Sequence, residues 1–312
     1  MSYLAVVDFG SNSTRMVVEE LTATGTFKEV QREKVDTRLA QGMHQNGGAL
    51  TQAAMERVEQ ALIQFQAIYR QYPNVKVEGI ATAAIREATN QKAFLAHVFE
   101  TTGIDVQVLT GDQEAYYDYL GAMSALPKIE DAWLLDTGGA SVELVGIEER
   151  MAANFISLPF GAVNLSERFQ LGFETVSAKQ LQAAEAYVSQ QFDSLPWLVD
   201  EDPLPIILLG GANRSLARLN RGRQGFDTKT DFHGYHMTTA EVLTTFDELV
   251  ALTYQERREL LGKEANRADI IISGLVPLIE LIQRTDAKEV VFSSSGVREG
   301  FLQECRLAME EN

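Results

Sequence analysis

The sequence predicts an α/β protein built from two similar domains. Two stretches, Tyr3–Val18 and Ala132–Val145, each read as a buried strand ending in aspartate, a tight turn of glycine and serine, and a second strand. The two aspartates, Asp8 and Asp136, lie a domain's length of chain apart. After each stretch, strand-like and helix-like segments alternate, which is typical of a mixed sheet packed against helices.

The first half continues with segments that alternate in type. Its longest helix is expected to begin after Thr51, a residue type that caps helices, and its apolar residues recur at spacings of three and four. That spacing places them on one helical face: Met55, Val58, Leu62, Phe65 and Tyr69. The expected elements are strand Lys28–Leu39, helix Thr51–Tyr72, strand Val75–Ala83, helix Ala84–Thr102, strand Ile104–Thr110 and helix Gly111–Ala125.

The second half repeats this plan and ends in an amphipathic helix. We expect a first domain over residues 1–127 and a second over 128–297, with a C-terminal helix over 298–312 packing back on the first. The expected elements are three strands to about Leu158, helices to Phe192, strand Leu204–Leu209, helix Ala212–Leu219, further helices and strand Glu289–Ser293.

Composition excludes several classes of protein. The 44 acidic and 27 basic residues give a net charge of −17, which disfavours duplex nucleic acid as a partner because such binding depends on neutralised phosphates. A single cysteine, Cys305, excludes an internal disulfide and a cysteine-based zinc cluster. Asp8 interrupts the only N-terminal apolar run, and no stretch reaches the ~20 apolar residues of a membrane span. We therefore expect a cytoplasmic protein without a membrane partner.

Both glycine- and serine-containing turns are candidate anion sites. In Gly10–Ser13 and Gly138–Ser141, small residues follow a strand, so consecutive backbone N–H groups can converge on a phosphate. Neither turn is a Walker A loop or a dinucleotide fingerprint. We expect the two turns to face each other across an interdomain cleft. Asp8 and Asp136, at strand ends, suit a magnesium ion, although aspartates also cap tight turns.

Glu143 is a further metal candidate. It follows the second turn on the next strand, among apolar residues, where burial of an unpaired carboxylate is costly. The alternative is a strand with alternating faces, in which Glu143 points outward.

Glu114 and Arg86 each lie where a strand gives way to a helix. Glu114 is a candidate general base, but a carboxylate in a first helical turn also interacts favourably with the helix dipole. Arg86 could bind phosphate in a bidentate way, or it could pair with Glu87 or Asp112.

One short stretch reverses the charge of this acidic chain. It contains Arg214, Arg218, Arg221, Arg223 and Lys229. Such a stretch could bind the distal charges of a long phosphorylated substrate, or it could be a solvated helix face that offsets acidic neighbours.

Taken together, these motifs resemble the exopolyphosphatase/guanosine pentaphosphate phosphohydrolase (Ppx/GppA) family, in its short form of two domains. The resemblance extends from residue 7 to residue 302. The matching stretches are Val7–Arg15, Ala81–Ala88, Thr110–Ala115, Leu135–Leu144, Leu158–Val163, Leu209–Arg214, Arg267–Ile271 and Gly296–Leu302.

The resemblance implies a fold and a function. It implies two actin-like (ribonuclease H-like) domains of the superfold shared by actin, sugar kinases and Hsp70. The expected activity is hydrolysis of terminal phosphoanhydride bonds of inorganic polyphosphate with Mg²⁺ or Mn²⁺. Alternatives are hydrolysis of pppGpp to ppGpp and a non-catalytic sensor of polyphosphate or alarmone, with a sugar or acetate kinase the weakest. A homodimer is compatible with the family.

The resemblance also implies roles for residues of this chain. The catalytic base falls on Glu114 and the phosphate-gripping arginine on Arg86, while the metal carboxylates fall on Asp136 and Glu143. Asp8 is expected as a further metal ligand because of its place at a strand end. The expected phosphate-binding residues are Gly10, Ser11, Asn12, Ser13, Arg15, Gly138, Gly139, Ala140 and Ser141. The distal part of a polyphosphate chain is expected at Arg214, Arg218, Arg221 and Arg223.

Three residues depart from the family pattern. The second turn usually reads Gly-Gly-Gly-Ser-Thr-Glu, and here Ala140 and Val142 replace a glycine and a threonine. Ala140 adds a methyl group where a positive φ is a possible requirement, and Val142 lacks a hydroxyl. Asn164 stands where the family commonly has arginine. These departures bear on substrate range and rate more than on the fold.

Overall fold

A computed structural model describes residues 2–22, 27–198, 203–226 and 231–310 of the chain. The chain divides into two compact units. Unit 1 comprises Met1–Glu114 and Phe301–Asn312, and unit 2 comprises Ala115–Gly300. Two helices, Gly111–Ala125 and Val297–Glu310, therefore contribute residues to both units. None of the helices in the described part of the chain combines the length and the apolar character needed to span a bilayer.

Unit 1 contains a five-stranded mixed sheet. Its strands are β1 (Ser2–Phe9), β2 (Thr14–Leu21), β3 (Phe27–Val35), β4 (Val75–Ala81) and β5 (Val106–Val108). They lie in the order β3-β2-β1-β4-β5, in which β1, β2 and β3 form an antiparallel meander and β1, β4 and β5 are parallel. The helices are α1 (Gln52–Tyr69), α2 (Ala83–Arg86), α3 (Gln91–Thr102) and the start of α4 (Gly111–Ala125).

The hydrophobic pattern of the sequence accounts for the core of unit 1. The apolar run at the start of β1, Leu4–Val7, is fully buried, as is expected of a central strand. Helix α1 buries the predicted face through Val58, Leu62 and Phe65. Thr51 caps this helix, since its side chain accepts a hydrogen bond from the Ala54 N–H at 3.2 Å.

Unit 2 contains a six-stranded sheet whose topology repeats that of unit 1. Its strands are β6 (Ala132–Thr137), β7 (Val142–Glu148), β8 (Met151–Leu158), β9 (Ile206–Gly210), β10 (His236–Thr238) and β11 (Glu289–Phe292). The order is β10-β11-β9-β6-β7-β8, so β6 to β8 form the meander and β6, β9 and β11 are parallel. Two sheets of this order are the duplicated actin-like architecture, with β10 added at one edge.

Helices cover both faces of the sheet in unit 2. Helix α4 packs on one face, where Tyr119 and Met123 contact Leu134, Val145 and their neighbours. The opposite face carries most of the remaining helices. These are α5 (Ala162–Phe169), α6 (Ala178–Asp193), α7 (Gly211–Arg223), α8 (Thr239–Ala251), α9 (Tyr254–Leu261) and α10 (Ile271–Thr285), and the last helix of the chain is α11 (Val297–Glu310).

Two elements differ from the sequence-based expectation. The segment expected as one helix over Ala84–Thr102 forms α2 and α3, separated by residues 87–90. The edge strand β10 was not predicted, because three residues are too short to show the alternation of a strand.

Helix α5 is held firmly at its N-terminus, which matters for the site described below. Gly274 of α10 leaves no space for a side chain, because a Cβ there would lie 2.5 Å from the Ala212 Cβ and 3.2 Å from the Ala162 Cβ. The Ser273 hydroxyl donates a hydrogen bond to the Ala162 carbonyl at 2.6 Å. The start of α5 is therefore fixed against α10.

Candidate functional site

In unit 1, the sheet places several predicted site residues at one edge. Strands β1, β4 and β5 are parallel, and their register pairs Phe9 with Ala81 and Ala81 with Val108. The loop 10–13 follows β1, Arg86 ends the short helix after β4, and Glu114 lies in the first turn of the helix after β5. The carboxyl edge of a parallel sheet is the usual location of ligand sites in α/β proteins.

Arg86 and Glu114 form an ion pair at this edge. One guanidinium nitrogen, Nη1, donates to Glu114 Oε2 at 2.7 Å and to the Leu109 carbonyl at 3.1 Å. The Glu114 side chain is only 8% exposed. Arg86 is thus paired with Glu114, which the sequence had not indicated as its partner. Burial raises the pKa of Glu87, an effect that the Arg86 charge partly offsets.

The first turn, Gly10–Ser13, is held through its carbonyl groups. The Ser11 carbonyl accepts from the Ala40 N–H and the Asn12 carbonyl from the Arg38 N–H, both at 2.9 Å. In a trans peptide the C=O and the following N–H point in opposite directions, so the N–H groups of Asn12 and Ser13 point away from the segment that contains residues 38 and 40. At the strand ends beside this turn, Asp8 pairs with Arg15 in the β1–β2 register.

The second turn, Gly138–Ser141, is held in the same way by α5. The Gly138 carbonyl accepts from the Ala162 N–H at 2.9 Å, and the Gly139 carbonyl accepts from the Val163 N–H at 2.8 Å. Gly161 makes this approach possible, since a Cβ there would lie 2.7 Å from the Gly138 oxygen. No role for Gly161 was predicted from the sequence.

Asn164 binds a third carbonyl of the second turn. Its Nδ2 donates to the Ala140 carbonyl at 3.2 Å, while its Oδ1 accepts from the Gly161 N–H at 2.6 Å. Because three successive carbonyls, at 138, 139 and 140, are directed to α5, the N–H groups of residues 139, 140 and 141 point away from it. Three consecutive N–H groups on one side of a turn form a concavity suited to an anion.

Ala140 does not strain this turn. It is not among the described residues with positive φ. The expectation that a methyl group at this position meets a backbone that requires glycine is therefore wrong.

Three carboxylates, two of them buried and that of Asp136 half-buried, lie together in unit 2. Asp136 on β6 is directly opposite Glu143 on β7, and Ser157 on β8 is opposite Glu143. The Ser157 hydroxyl donates to Glu143 Oε1 at 2.7 Å. Glu143 is 1% exposed, so it does not point outward to solvent. The third carboxylate is Asp118 of α4, and one oxygen of each of Asp118, Asp136 and Glu143 lies within 4.8 Å of the others.

Strand periodicity explains why these side chains meet. Leu134 on β6 and Val145 on β7 face α4, and residues two positions along a strand share a face. Asp136 and Glu143 therefore project toward α4, which supplies Asp118. Asp118 was not predicted as a site residue, although it lies four residues, about one helical turn, after Glu114.

The carboxylate group fits a hard divalent cation. Mg²⁺ binds oxygen ligands and is commonly held by one or two carboxylates together with water and substrate oxygens. Space beside Asp136 is preserved by Gly210, which has a φ of 94° and a ψ of 166°. A Cβ at Gly210 would lie 2.8 Å from Asp136 Oδ1 and 2.4 Å from the Thr137 oxygen.

The arginine-rich stretch lies along α7 in unit 2. Arg218 forms an ion pair with Glu264, Arg223 pairs with Glu248 at 2.5 Å, and Arg221 donates to the Asp231 carbonyl. These three arginines thus have intramolecular partners, and Arg214 lies in the first turn of α7. Lys229 lies outside the described residues.

A cavity of about 990 Å³ adjoins this stretch. Its lining combines the cations Arg218, Arg223 and Lys263 with apolar side chains that include Phe232 and Leu260. The carboxylates of Asp231 and Glu264 also line it, so the charge of the cavity is mixed.

Comparison with known proteins identifies the family and agrees with the fold. The profile of the Ppx/GppA phosphatase family matches residues 17–308. A Ppx/GppA family member from Aquifex aeolicus is 25% identical, with a TM-score of 0.79 over 100% of this chain and 99% of the other. A structure of the Aquifex aeolicus PPX-GPPA enzyme is 26% identical, with a TM-score of 0.77 over 96% and 98% of the two chains.

A third structure supports the fold alone. An exopolyphosphatase from Cytophaga hutchinsonii is 20% identical, with a TM-score of 0.86 over 98% of both chains. Since the family profile spans nearly the whole chain, and similar folds extend over its full length, the protein described here belongs to the Ppx/GppA phosphatase family.

Proposed function

We propose that the protein is an exopolyphosphatase, which hydrolyses the terminal phosphoanhydride bond of inorganic polyphosphate and releases orthophosphate. The observation that carries the proposal is the second turn, where α5 binds three successive carbonyls and leaves three consecutive N–H groups on the other side. In a member of a phosphatase family, such a turn suits the oxygens of a phosphoryl group.

Glu114 is proposed as the general base. Its carboxylate would orient a water molecule and accept its proton as the water oxygen attacks phosphorus. The ion pair with Arg86 supports this role, because the guanidinium and the Leu109 carbonyl together restrict where the carboxylate can lie. Arg86 is therefore proposed first as a positioning residue, and a direct phosphate contact would be additional.

The carboxylates of unit 2 are proposed to hold Mg²⁺ or Mn²⁺. A cation bound by Asp136 and Glu143 would supply positive charge that neutralises the phosphoryl oxygens. Ser157 donates to Glu143 and so fixes the orientation of that carboxylate before the ion binds. The role of Asp8 as a further metal ligand stays a prediction. The same holds for the four arginines on α7 as contacts to the distal part of a polyphosphate chain.

There are two alternative functions, one that uses the same chemistry and one without catalysis. Hydrolysis of pppGpp to ppGpp uses the same base, metal and turn, and differs only in the group attached to the phosphates. A sensor without turnover is disfavoured by two observations: Ala140 lies in a turn that does not require a positive φ, and the Arg86–Glu114 pair is intact.

The test measures phosphate release from short-chain polyphosphate, long-chain polyphosphate and pppGpp with Mg²⁺. We compare wild type, Glu114→Gln and the control Asp112→Asn, which removes an exposed carboxylate from the same helical turn. We expect release from polyphosphate that falls by about 100-fold or more in Glu114→Gln, the scale of general-base catalysis, and is retained in the control.

Other outcomes have defined meanings. Wild-type rates in Glu114→Gln would show that Glu114 is not the general base. Faster release of phosphate from pppGpp than from either polyphosphate would identify pppGpp as the preferred substrate. Binding of all three without any release would identify a sensor.

A further inference from the structure

Asp118 is fully buried in the middle of α4 and makes two kinds of contact within unit 2. Its Oδ1 accepts a hydrogen bond from the Val297 N–H at 2.8 Å. Val297 is the first residue of α11, so Asp118 caps the N-terminus of that helix from a different element. The same carboxylate belongs to the group with Asp136 and Glu143.

Close backbone packing fixes Asp118 beside the start of α11. A Cβ at Gly121 would lie 2.2 Å from the Gly296 oxygen, and a Cβ at Gly300 would lie 2.1 Å from the Tyr117 oxygen. Glycine at these two positions therefore permits α4 and the first turn of α11 to approach backbone to backbone. Gly296 leaves room for the carboxylate, since a Cβ there would lie 2.8 Å from Asp118 Oδ1.

From these contacts we infer that Asp118 is a third carboxylate ligand of the divalent cation, and that its shared carboxylate couples cation binding to the first turn of α11. This inference rests on the metal site of the proposed function. It extends that site beyond Asp136 and Glu143, the two carboxylates that the family pattern implies.

Asp118 can make both contacts at once because a carboxylate has several acceptor sites. An ionised aspartate has two oxygens and about four lone-pair positions, so it can accept the Val297 N–H and ligate a cation at the same time. Both contacts require the same orientation of the Asp118 side chain, so an ion that holds the carboxylate in that orientation also favours the hydrogen bond to Val297. By linkage, the hydrogen bond favours ion binding by the same factor.

The experiment separates the two contacts with two substitutions. Asp118→Asn keeps an oxygen that can accept from Val297, but it replaces the other oxygen with an N–H₂ group, which cannot ligate a cation. Asp118→Ala removes both functions. Asp247→Asn is the control, because it removes one exposed carboxylate from the surface of the same unit.

Two quantities are measured on the full chain with Mn²⁺ alone. Electron paramagnetic resonance gives Mn²⁺ affinity, and amide hydrogen exchange, measured by mass spectrometry after an acid quench that releases the ion, gives protection at the start of α11, which contains Val297. In wild type and Asp247→Asn, we expect Mn²⁺ to slow exchange at Val297 several-fold. In Asp118→Asn, we expect Mn²⁺ affinity to fall by about 10-fold or more, the scale seen when a residue at a metal site is lost.

Hydrogen-exchange protection at Val297 shows whether Asp118 is a metal ligand or only caps α11. Asp118→Asn should retain protection at Val297 without metal and lose its response to Mn²⁺, whereas Asp118→Ala should lose the protection itself. Unchanged Mn²⁺ affinity in Asp118→Asn would show that Asp118 only caps α11 and would overturn the inference. The same conclusion would follow if Mn²⁺ bound to wild type without any effect on Val297.

These readouts do not depend on turnover. If Mn²⁺ binding requires Asp118 but no phosphate is released from any substrate, the proposed function fails and the inference stands. If phosphate is released and Asp118→Asn binds Mn²⁺ as wild type does, the inference fails alone.

Discussion

Arg86 and Glu114 show how far single residues can be interpreted from sequence. Their types and positions after strands mark them as candidates, and the sequence offers Glu87 and Asp112 as partners for the arginine. The structure pairs Arg86 with Glu114 instead, at 2.7 Å, because β4 and β5 are adjacent and parallel and so bring the two helix starts together. Strand adjacency, which no local pattern encodes, decides the partner.

Gly210 yields a prediction about the metal site. Its φ of 94° and ψ of 166° lie in a region essentially restricted to glycine, and a Cβ would meet both the Thr137 oxygen and Asp136 Oδ1. We expect Gly210→Ala to lower the free energy of unfolding by about 2 kcal/mol or more and to weaken Mn²⁺ binding by displacing Asp136. Urea unfolding and Mn²⁺ titration measure the two effects.

Gly222 is the matched control for that substitution. It also lies in unit 2, within α7, and a Cβ there would meet no atom within 4 Å. Alanine is favoured over glycine in a helix, and Gly222 lies in the last turn of α7, so Gly222→Ala should leave stability unchanged or raise it by up to about 0.5 kcal/mol. Equal effects of the two substitutions would contradict the role assigned to Gly210.

Cys305 yields a prediction about pH dependence. Burial, followed by the charge of Glu78, raises the pKa of its thiol to about 11 from an ordinary value of 9.0. The folded protein therefore holds the thiol proton more strongly than the unfolded chain, so this group lowers stability as pH rises from about 9 to about 11. We expect alkylation by iodoacetamide at pH 9 to be slower in the folded protein than in urea. Equal rates would indicate an ordinary thiol.

At the scale of elements, the second turn and α5 act as one structure. The predicted motifs at Gly138–Ser141 and Leu158–Val163 are separate in sequence, yet the N–H groups of Ala162 and Val163 bind the turn's carbonyls. Asn164 binds the third carbonyl of the turn, that of Ala140. The family commonly has arginine at this position. A side-chain amide can donate to Ala140 and accept from Gly161 at once, whereas a guanidinium can only donate.

Asn164 therefore yields a prediction at this scale. Asn164→Ala removes the donor to Ala140, which frees the peptide that carries the Ser141 N–H. We expect KM for polyphosphate to rise about 5- to 10-fold, which corresponds to the ~1–1.4 kcal/mol of one hydrogen bond. Steady-state kinetics measure KM and kcat, and thermal unfolding checks that the fold is retained.

The control is Arg168→Ala, which changes an exposed residue of the same helix. It should leave KM unchanged. An unchanged KM in Asn164→Ala as well would show that the turn keeps its conformation without the Asn164 contact.

At the scale of the molecule, unit 2 depends on a fully buried cation. Arg257 is 0% exposed, and its guanidinium donates to the carbonyls of Leu252, Ala268, Gly172 and Glu174. These carbonyls lie in three connections, α8–α9, α9–α10 and α5–α6. Burial lowers the pKa of this guanidinium, but an arginine remains charged at neutral pH. One side chain thus joins segments that are far apart in sequence.

We expect Arg257→Met to lower the free energy of unfolding of unit 2 by about 3–4 kcal/mol, because it leaves several buried carbonyls without a donor. Tryptophan fluorescence in urea reports on this unit, since both tryptophans, Trp133 and Trp197, lie in it. The neighbouring Arg258 is exposed, and Arg258→Ala serves as the control with an effect within about 0.5 kcal/mol. Similar midpoints for the two variants would exclude the structural role of Arg257.

The fold was largely predictable from sequence because it rests on periodic patterns. Repetition of strand, aspartate, turn and strand indicates the duplication, and the spacing of apolar residues indicates α1 and the central strands. A three-residue edge strand and a four-residue helix are too short to show a periodic pattern of apolar residues. For this reason β10 and α2 were not predicted from the sequence as separate elements.

Local order along the chain was enough to predict the α/β architecture, the family and the residue types available for phosphate chemistry. It was not enough to predict which of these groups meet. Cross-strand register places Asp136 opposite Glu143, packing of α4 on that face of the sheet adds Asp118, and the start of α5 turns three carbonyls of the second turn to one side. These arrangements depend on contacts between residues distant in sequence, whose geometry is set by strand pairing and helix packing rather than by any local motif.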